Sequence, residues 1–128
     1  MTNTSPLNDD QAAKVLALAM DLAREGKTTE LAEFLDHGLP LDAQDPEGNT
    51  LLMLATYKGQ GATVTMLLGR GANADIRNGR DQSPLAGALF KGEDAIVAQL
   101  VAAGVDLDAG TPSARATAAM FGREHLLA

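Results

Sequence analysis

Apolar residues recur along this chain in short bursts, three and four positions apart, and each burst is closed by a glycine. The first contains Val15, Leu16, Leu18, Ala19, Leu22 and Ala23 and stops at Gly26. That spacing puts all six on one broad helical face, and a glycine ends a helix by supplying its left-handed cap. Asn8 or Asp9 can cap the start, with Asp9 and Asp10 in the first turn, where the helix dipole favours carboxylates. A shorter helix is predicted from about Thr28 to Asp36, burying Leu31, Phe34 and Leu35 and ending at Gly38, with Pro40 barring continuation. From Asp45 to Arg77 the arrangement is restated. Asp45-Pro46-Glu47-Gly48-Asn49 has tight-turn chemistry, and Thr50 caps a helix carrying Leu51, Leu52, Leu54 and Ala55. Gly59 and Gly61 separate it from a second helix with Val64, Leu67 and Leu68 inward, closed by Gly71. Asn78 to Gly110 repeats the scheme, with Ser83 as a hydroxyl cap, Pro84 at the first helical position, and Leu85, Ala88, Ile96, Val97, Leu100 and Val101 as its apolar positions.

The closing glycines are periodic. Gly26, Gly59 and Gly92 are 33 apart (59 − 26, 92 − 59), as are Gly38, Gly71 and Gly104 (71 − 38, 104 − 71). A fixed period of this size marks stacked helix-turn-helix repeats, which cannot bury their apolar faces alone. The units run at about 12–44, 45–77, 78–110 and a truncated 108–128, in one domain over 9–128 behind a frayed polar leader at 1–8. Gly122 follows Gly92 by only 30, so three residues are missing, most simply around Thr111 to Ser113. The last helix, Arg123 to Ala128, is cut to little more than a turn.

Period and residues together resemble the ankyrin repeat, whose pattern runs Asp, turn Gly, Thr-Pro-Leu-His, Ala-Ala, Gly, paired leucines, Gly-Ala, Asn. The second unit matches at Asp45, Gly48, Thr50, Leu52, Ala55, Gly59, Val64, Leu67, Leu68, Gly71 and Ala72. The third matches at Asn78, Ser83, Pro84, Leu85, Ala88, Gly92, Ile96, Val97, Leu100 and Gly104. The first keeps Gly26, Leu31, Phe34, Leu35, Gly38 and Asp42. The resemblance implies an all-α ankyrin-repeat solenoid of antiparallel helix pairs with hairpin-like loops on one side, and protein binding as its usual role. The chain looks like the small stand-alone ankyrin proteins of bacteria. Two departures matter. Met53 and Ala86 replace the family's histidine, so a bond between neighbouring turns is lost and looser hairpin ends are expected. Asp81 stands at the turn-glycine position, where Asp tolerates a left-handed backbone better than most residues.

Composition narrows the function. Hydrophobic residues make up 45% and charged ones 21% of 128 residues, ordinary for a soluble globular domain. A net charge of −7 argues against generic nucleic-acid binding, which needs cationic surface. There is no cysteine for a disulfide or thiolate metal site, no basic and apolar signal segment in MTNTSPLNDDQ, and no run long enough to span a bilayer. A cytoplasmic protein without cofactor, membrane or small-molecule substrate is expected.

The candidate surface is an aromatic column. Besides Phe34, assigned to the core, the aromatics Tyr57, Phe90 and Phe121 fall just before the inter-helix glycine of their units. The resemblance places these positions on the concave face at the end of the inner helix. Stacked, they read Arg24-Glu25, Tyr57-Lys58, Phe90-Lys91 and Met120-Phe121, and such residue types are enriched in binding hot spots. The bland alternative is that the rings lie flat on neighbouring units and only cover apolar surface. A second candidate is the hairpin tips, with Pro46, Glu47 and Asn49 in one loop and Gly79, Arg80 and Gln82 in the next, which the resemblance also places against partners. Catalysis is disfavoured. Asp42, Asp75 and Asp108 recur once per unit, as loop-capping groups would, His37 and His125 lie in different units, and neither Ser83 nor Ser113 has triad company. The leading expectation is a non-catalytic module binding an unidentified protein as a monomer. The alternatives are a dedicated inhibitor or immunity-type regulator of one enzyme, and a homodimer formed through exposed Leu126 and Leu127.

Overall fold

The structure, a computed structural model, describes residues 8–128. The expected leader lies outside the described residues except for Asn8, which caps the first helix in a reciprocal capping box. Asn8 Oδ1 accepts from Gln11 N–H at 2.7 Å, and Gln11 Oε1 accepts from Asn8 N–H at 3.0 Å. The helices are α1 (Asp9–Glu25), α2 (Thr28–Asp36), α3 (Leu51–Tyr57), α4 (Gly61–Gly69), α5 (Pro84–Lys91), α6 (Asp94–Ala102) and α7 (Ala114–Phe121), followed by a 3-10 turn at Glu124–Leu127. Among the described residues there is no strand, only an isolated bridge between Gln44 and Thr50 at the neck of the first hairpin-like turn.

Inner helices stack in the order α1, α3, α5, α7, and outer ones in the order α2, α4, α6, 3-10 turn. Each inner helix starts on a polar cap, as its sequence dictates. Thr50 Oγ1 accepts from Met53 N–H at 3.1 Å, Ser83 Oγ from Ala86 N–H at 3.2 Å, and Ser113 Oγ from Ala116 N–H at 3.1 Å. The core between the layers is aliphatic, centred on Leu31, Leu51, Leu67, Leu85, Leu89 and Leu100 with Ala55 and Ala88 at the closest approaches.

The outer helices lack such caps; their first flanking residues reach back over the preceding unit. Gln60 lies over Gly26 and donates to the Arg24 carbonyl at 2.8 Å. Glu93 lies over Gly59, and Arg123 lies by Gly92 and donates to the Leu89 carbonyl. The glycines at these three places are required by their left-handed backbone φ of 71°, 69° and 74°, and Gly26 and Gly59 also leave room for the next unit's side chain.

Three expectations need correction. Leu18 is exposed, while Met20, assigned no role, is buried with Ala19 and Ala23. Among the described residues α1 packs chiefly on α2 and α3, so its apolar stripe is wider than the surface that covers it. The hairpin ends are not left loose by the missing histidine. Gly79 N–H donates to Glu47 O at 2.9 Å and Asn78 Nδ2 to Asn49 Oδ1 at 2.9 Å; Thr111 donates to Asp81 through both its N–H (2.8 Å) and its hydroxyl (2.7 Å). Finally, Leu126 and Leu127 are half-buried against the core rather than projecting, so the 3-10 turn shields the end of the stack. Asp81 does adopt the left-handed backbone, at φ 59°. Asp42 and Asp75 act as loop caps between units, accepting from Asn73 N–H at 2.9 Å and Asp106 N–H at 2.8 Å.

Candidate functional site

The C-terminal half of the concave face carries a groove of about 350 Å³ lined by Tyr57, Gln82, Ala86, Gly87, Phe90, Pro112, Thr117, Met120 and Phe121. Inner-helix ends and hairpin tips therefore meet in one hollow. Phe90 and Phe121 stand edge to face, with centroids 5.6 Å apart and planes at 78°. The Arg123 guanidinium lies 5.3 Å from the Phe121 centroid while it holds the Leu89 carbonyl. Edge-to-face and cation–π contacts of this kind fix rings that would otherwise move freely. Phe90 and Met120 nonetheless remain 60% and 62% exposed.

Tyr57 behaves differently from Phe90. Its ring lies across Gly87 of the next unit, close enough that a Cβ there would stand 3.0 Å from Cζ. Partial burial raises the phenol's pKa above its ordinary value, and the nearby Arg80 charge partly offsets that rise. At neutral pH the hydroxyl is therefore protonated and available as a donor.

The other sequence-selected residues distribute as follows. Arg24, Pro46 and Glu47 line a second hollow, of about 540 Å³, with Ala13, Leu16, Ala17 and Met20, and Arg24 is paired there with Asp21 at 2.8 Å. Asn49 accepts the Asn78 bond that ties the turns together. Lys58 and Lys91 are exposed beside Tyr57 and Phe90 without lining the groove. Gly87, Ala86, Pro112 and Thr117 were missed by reading the sequence, because small residues give no signal until a ring is laid over them. A hollow of about 630 Å³ lies elsewhere, between α1 and α2 against Val15, Leu16, Phe34, His37, Leu39 and Pro40. No cluster of three or more His, Cys, Asp or Glu able to hold a metal occurs among the described residues, and no described helix is long and apolar enough to cross a membrane.

Stacked helix pairs, glycine-closed and joined by hydrogen-bonded turns, define a helical repeat scaffold with an open concave face. The chain belongs to the ankyrin repeat family, whose three-copy pattern matches residues 16–123. It is also similar to a Pseudomonas aeruginosa protein named for ankyrin repeats, PA3287, at 38% identity over 61 residues. That match covers 48% of this chain and 36% of the relative, so the chain spans well under two thirds of that protein's length. Ankyrin repeats are in general protein–protein interaction modules, and the family is in general non-catalytic.

Proposed function

We propose that this protein is a non-catalytic interaction module of the cytoplasm that holds a protein partner on its concave face and hairpin tips. The observation that carries this reading is the groove itself. The Phe90 and Phe121 rings, held by their mutual contact and by Arg123, stay exposed beside Met120, although α5 buries its other apolar residues. A preorganised surface loses little ordering entropy on association, which favours a rigid repeat stack as a binding platform. The test is capture of partners from native lysate by the wild-type protein and by a Tyr57→Ala/Phe90→Ala double variant. A partner specific to the wild type supports the reading. A partner held equally by both, with both proteins melting alike, removes the concave face from it.

A further inference from the structure

We propose that the groove between Tyr57 and the Phe90–Phe121 pair takes a bulky apolar side chain from a partner segment whose flanking residues are acidic. The inference rests on the concave face being the binding surface, and it names the chemistry of what binds there.

The apolar half of the argument begins at Gly87. One repeat earlier the same position is Leu54 (87 − 54 = 33), which is 8% exposed. In α5 that side chain is absent, and the Tyr57 ring packs against the buried Gly87 in its stead, at the edge of the groove. The remaining hollow of about 350 Å³ is at the small end of ligand-sized pockets, suited to one or two anchor side chains rather than a whole cofactor. Its walls are two phenyl rings, a methionine and the face of a phenol, which reward an aliphatic or aromatic anchor.

The acidic half comes from counting ion pairs. Of ten Lys and Arg residues, five are paired, in Lys14–Asp10, Arg24–Asp21, Arg70–Asp36, Arg77–Asp81 and Arg115–Asp108. Lys27, Lys58, Arg80, Lys91 and Arg123 form no ion pair among the described residues. Four of these five gather about the aromatics. Lys58 and Lys91 directly follow Tyr57 and Phe90, Arg123 stacks on Phe121, and Arg80 is close enough to act on the Tyr57 phenol. Of the carboxylates on the same segments, Asp81 is engaged by Arg77 at 3.1 Å and by the Thr111 hydroxyl, while Glu47, Glu93 and Glu124 form no ion pair among the described residues. Screening confines exposed charges to a range of about 8 Å at physiological salt, so the charges bordering the groove weigh more on an approaching segment than the net −7 of the whole chain. Carboxylates beside the anchor would find unpaired cations and the Tyr57 hydroxyl donor; lysines would find like charge.

The chain has one tyrosine and no tryptophan, so its tyrosine emission reports on the groove floor alone. The test titrates the intact protein with three short peptides free of Tyr and Trp: central leucines flanked by glutamates, the same leucines flanked by lysines, and glutamates flanking central alanines. The glutamate–leucine peptide is expected to change Tyr57 emission saturably, with a Kd about tenfold or more below either control, and to weaken as salt rises from about 0.05 to 0.5 M. A Lys58→Glu/Lys91→Glu variant, altered only at exposed positions, should lose about tenfold in affinity for it, and Gly87→Leu, which displaces the Tyr57 ring from its seat and remodels the groove, should lose at least as much. Equal or tighter binding of the lysine-flanked peptide overturns the acidic partner class while leaving the concave face in place. Binding unaffected by Gly87→Leu overturns the groove as the anchor site. No saturable change with any peptide, in a protein that still captures a partner through Tyr57 and Phe90, overturns this inference and spares the broader reading.

Discussion

The two halves of the concave face share a backbone plan, and the difference that matters most falls at one position of the inner helix. In α3 that position is Leu54, nearly buried; in α5 it is Gly87. Around Leu54 the charged neighbour is already satisfied, since Arg24 is held by Asp21. Around Gly87 a tyrosine from the preceding unit lies in the missing side chain's place, an open groove follows, and the nearby cations are unpaired. A repeat scaffold over-determines its own fold through caps, closing glycines and inter-unit bonds. A site can therefore arise where one scaffold side chain is removed, with the loss spread over neighbours that remain fully packed.

The strongest way to break this comparison is to make the first half like the second. Leu54→Gly removes a side chain that is 92% buried (100 − 8) and adds a glycine to a helix interior. Large-to-small core changes cost about 2–5 kcal/mol and mid-helix glycine about 1 kcal/mol relative to alanine, so a loss of about 3–5 kcal/mol is expected in urea unfolding. A loss below about 1 kcal/mol would show that Leu54 is not a packing position and that Gly87 lacks nothing.

Two positions further on, the contrast runs the other way. Thr56 is fully buried and its hydroxyl has no hydrogen-bond partner, whereas one repeat later Leu89 fills the same position with apolar atoms (89 − 56 = 33). An unsatisfied buried hydroxyl costs about 1–3 kcal/mol, so the near-isosteric Thr56→Val should stabilise the protein by about 1–2 kcal/mol. Thermal melts that fall instead would reveal a partner for that hydroxyl in solution.

The junctions between units offer a finer contrast. Gln60 and Arg123 each donate to a carbonyl of the unit before them, while Glu93, at the corresponding place over Gly59, carries only acceptors when ionised. Glu93→Gln should add a donor there and gain about 0.5–1.5 kcal/mol, with Gln60→Glu losing a similar amount. If the two exchanges shift the unfolding midpoint in the same direction, the junctions are not equivalent.

What could be read from the chain without coordinates was whatever depends on neighbours in sequence. The caps Thr50, Ser83 and Ser113, the closing glycines and the paired leucines are local requirements of helices, and they repeat at a period that names the architecture. Leu18 and Met20 were misread because burial on α1 depends on which flank has a covering helix, a property of the stack and not of the helix. The turns were expected to be loose from one absent histidine, but Asn49, Asn78, Asp81 and Thr111 bond across them, and no pairwise rule links those positions. Within the groove, Tyr57, Gln82, Phe90, Met120 and Phe121 were visible as unusual residues at free positions. Gly87 was silent, because a glycine in a helix means something only once the ring from the preceding unit is laid on it.

The smallest effect separates Tyr57 from Phe90 most directly. Burial raises the Tyr57 phenol's pKa and the Arg80 charge partly offsets it, so the native phenol should ionise above pH 10, in absorbance titration of the single tyrosine. The sign of the linked stability follows. With the folded pKa above the unfolded one, the native state holds more protons between the two values, so stability is fully present below the unfolded pKa near 10 and falls as pH rises toward the folded one. Arg80→Gln removes the attraction for phenolate and should push the midpoint higher still. Gly87→Ala should move it the other way, since a Cβ 3.0 Å from Cζ obliges the ring to shift off its seat by a few tenths of an ångström and loosens its burial. Its stability should change little, because the helix gains up to about 1 kcal/mol from alanine while the ring loses packing. Identical titration curves for the wild type and Gly87→Ala would mean that the ring does not rest on Gly87, and the two halves of the concave face would then no longer differ in the way that makes one of them a site.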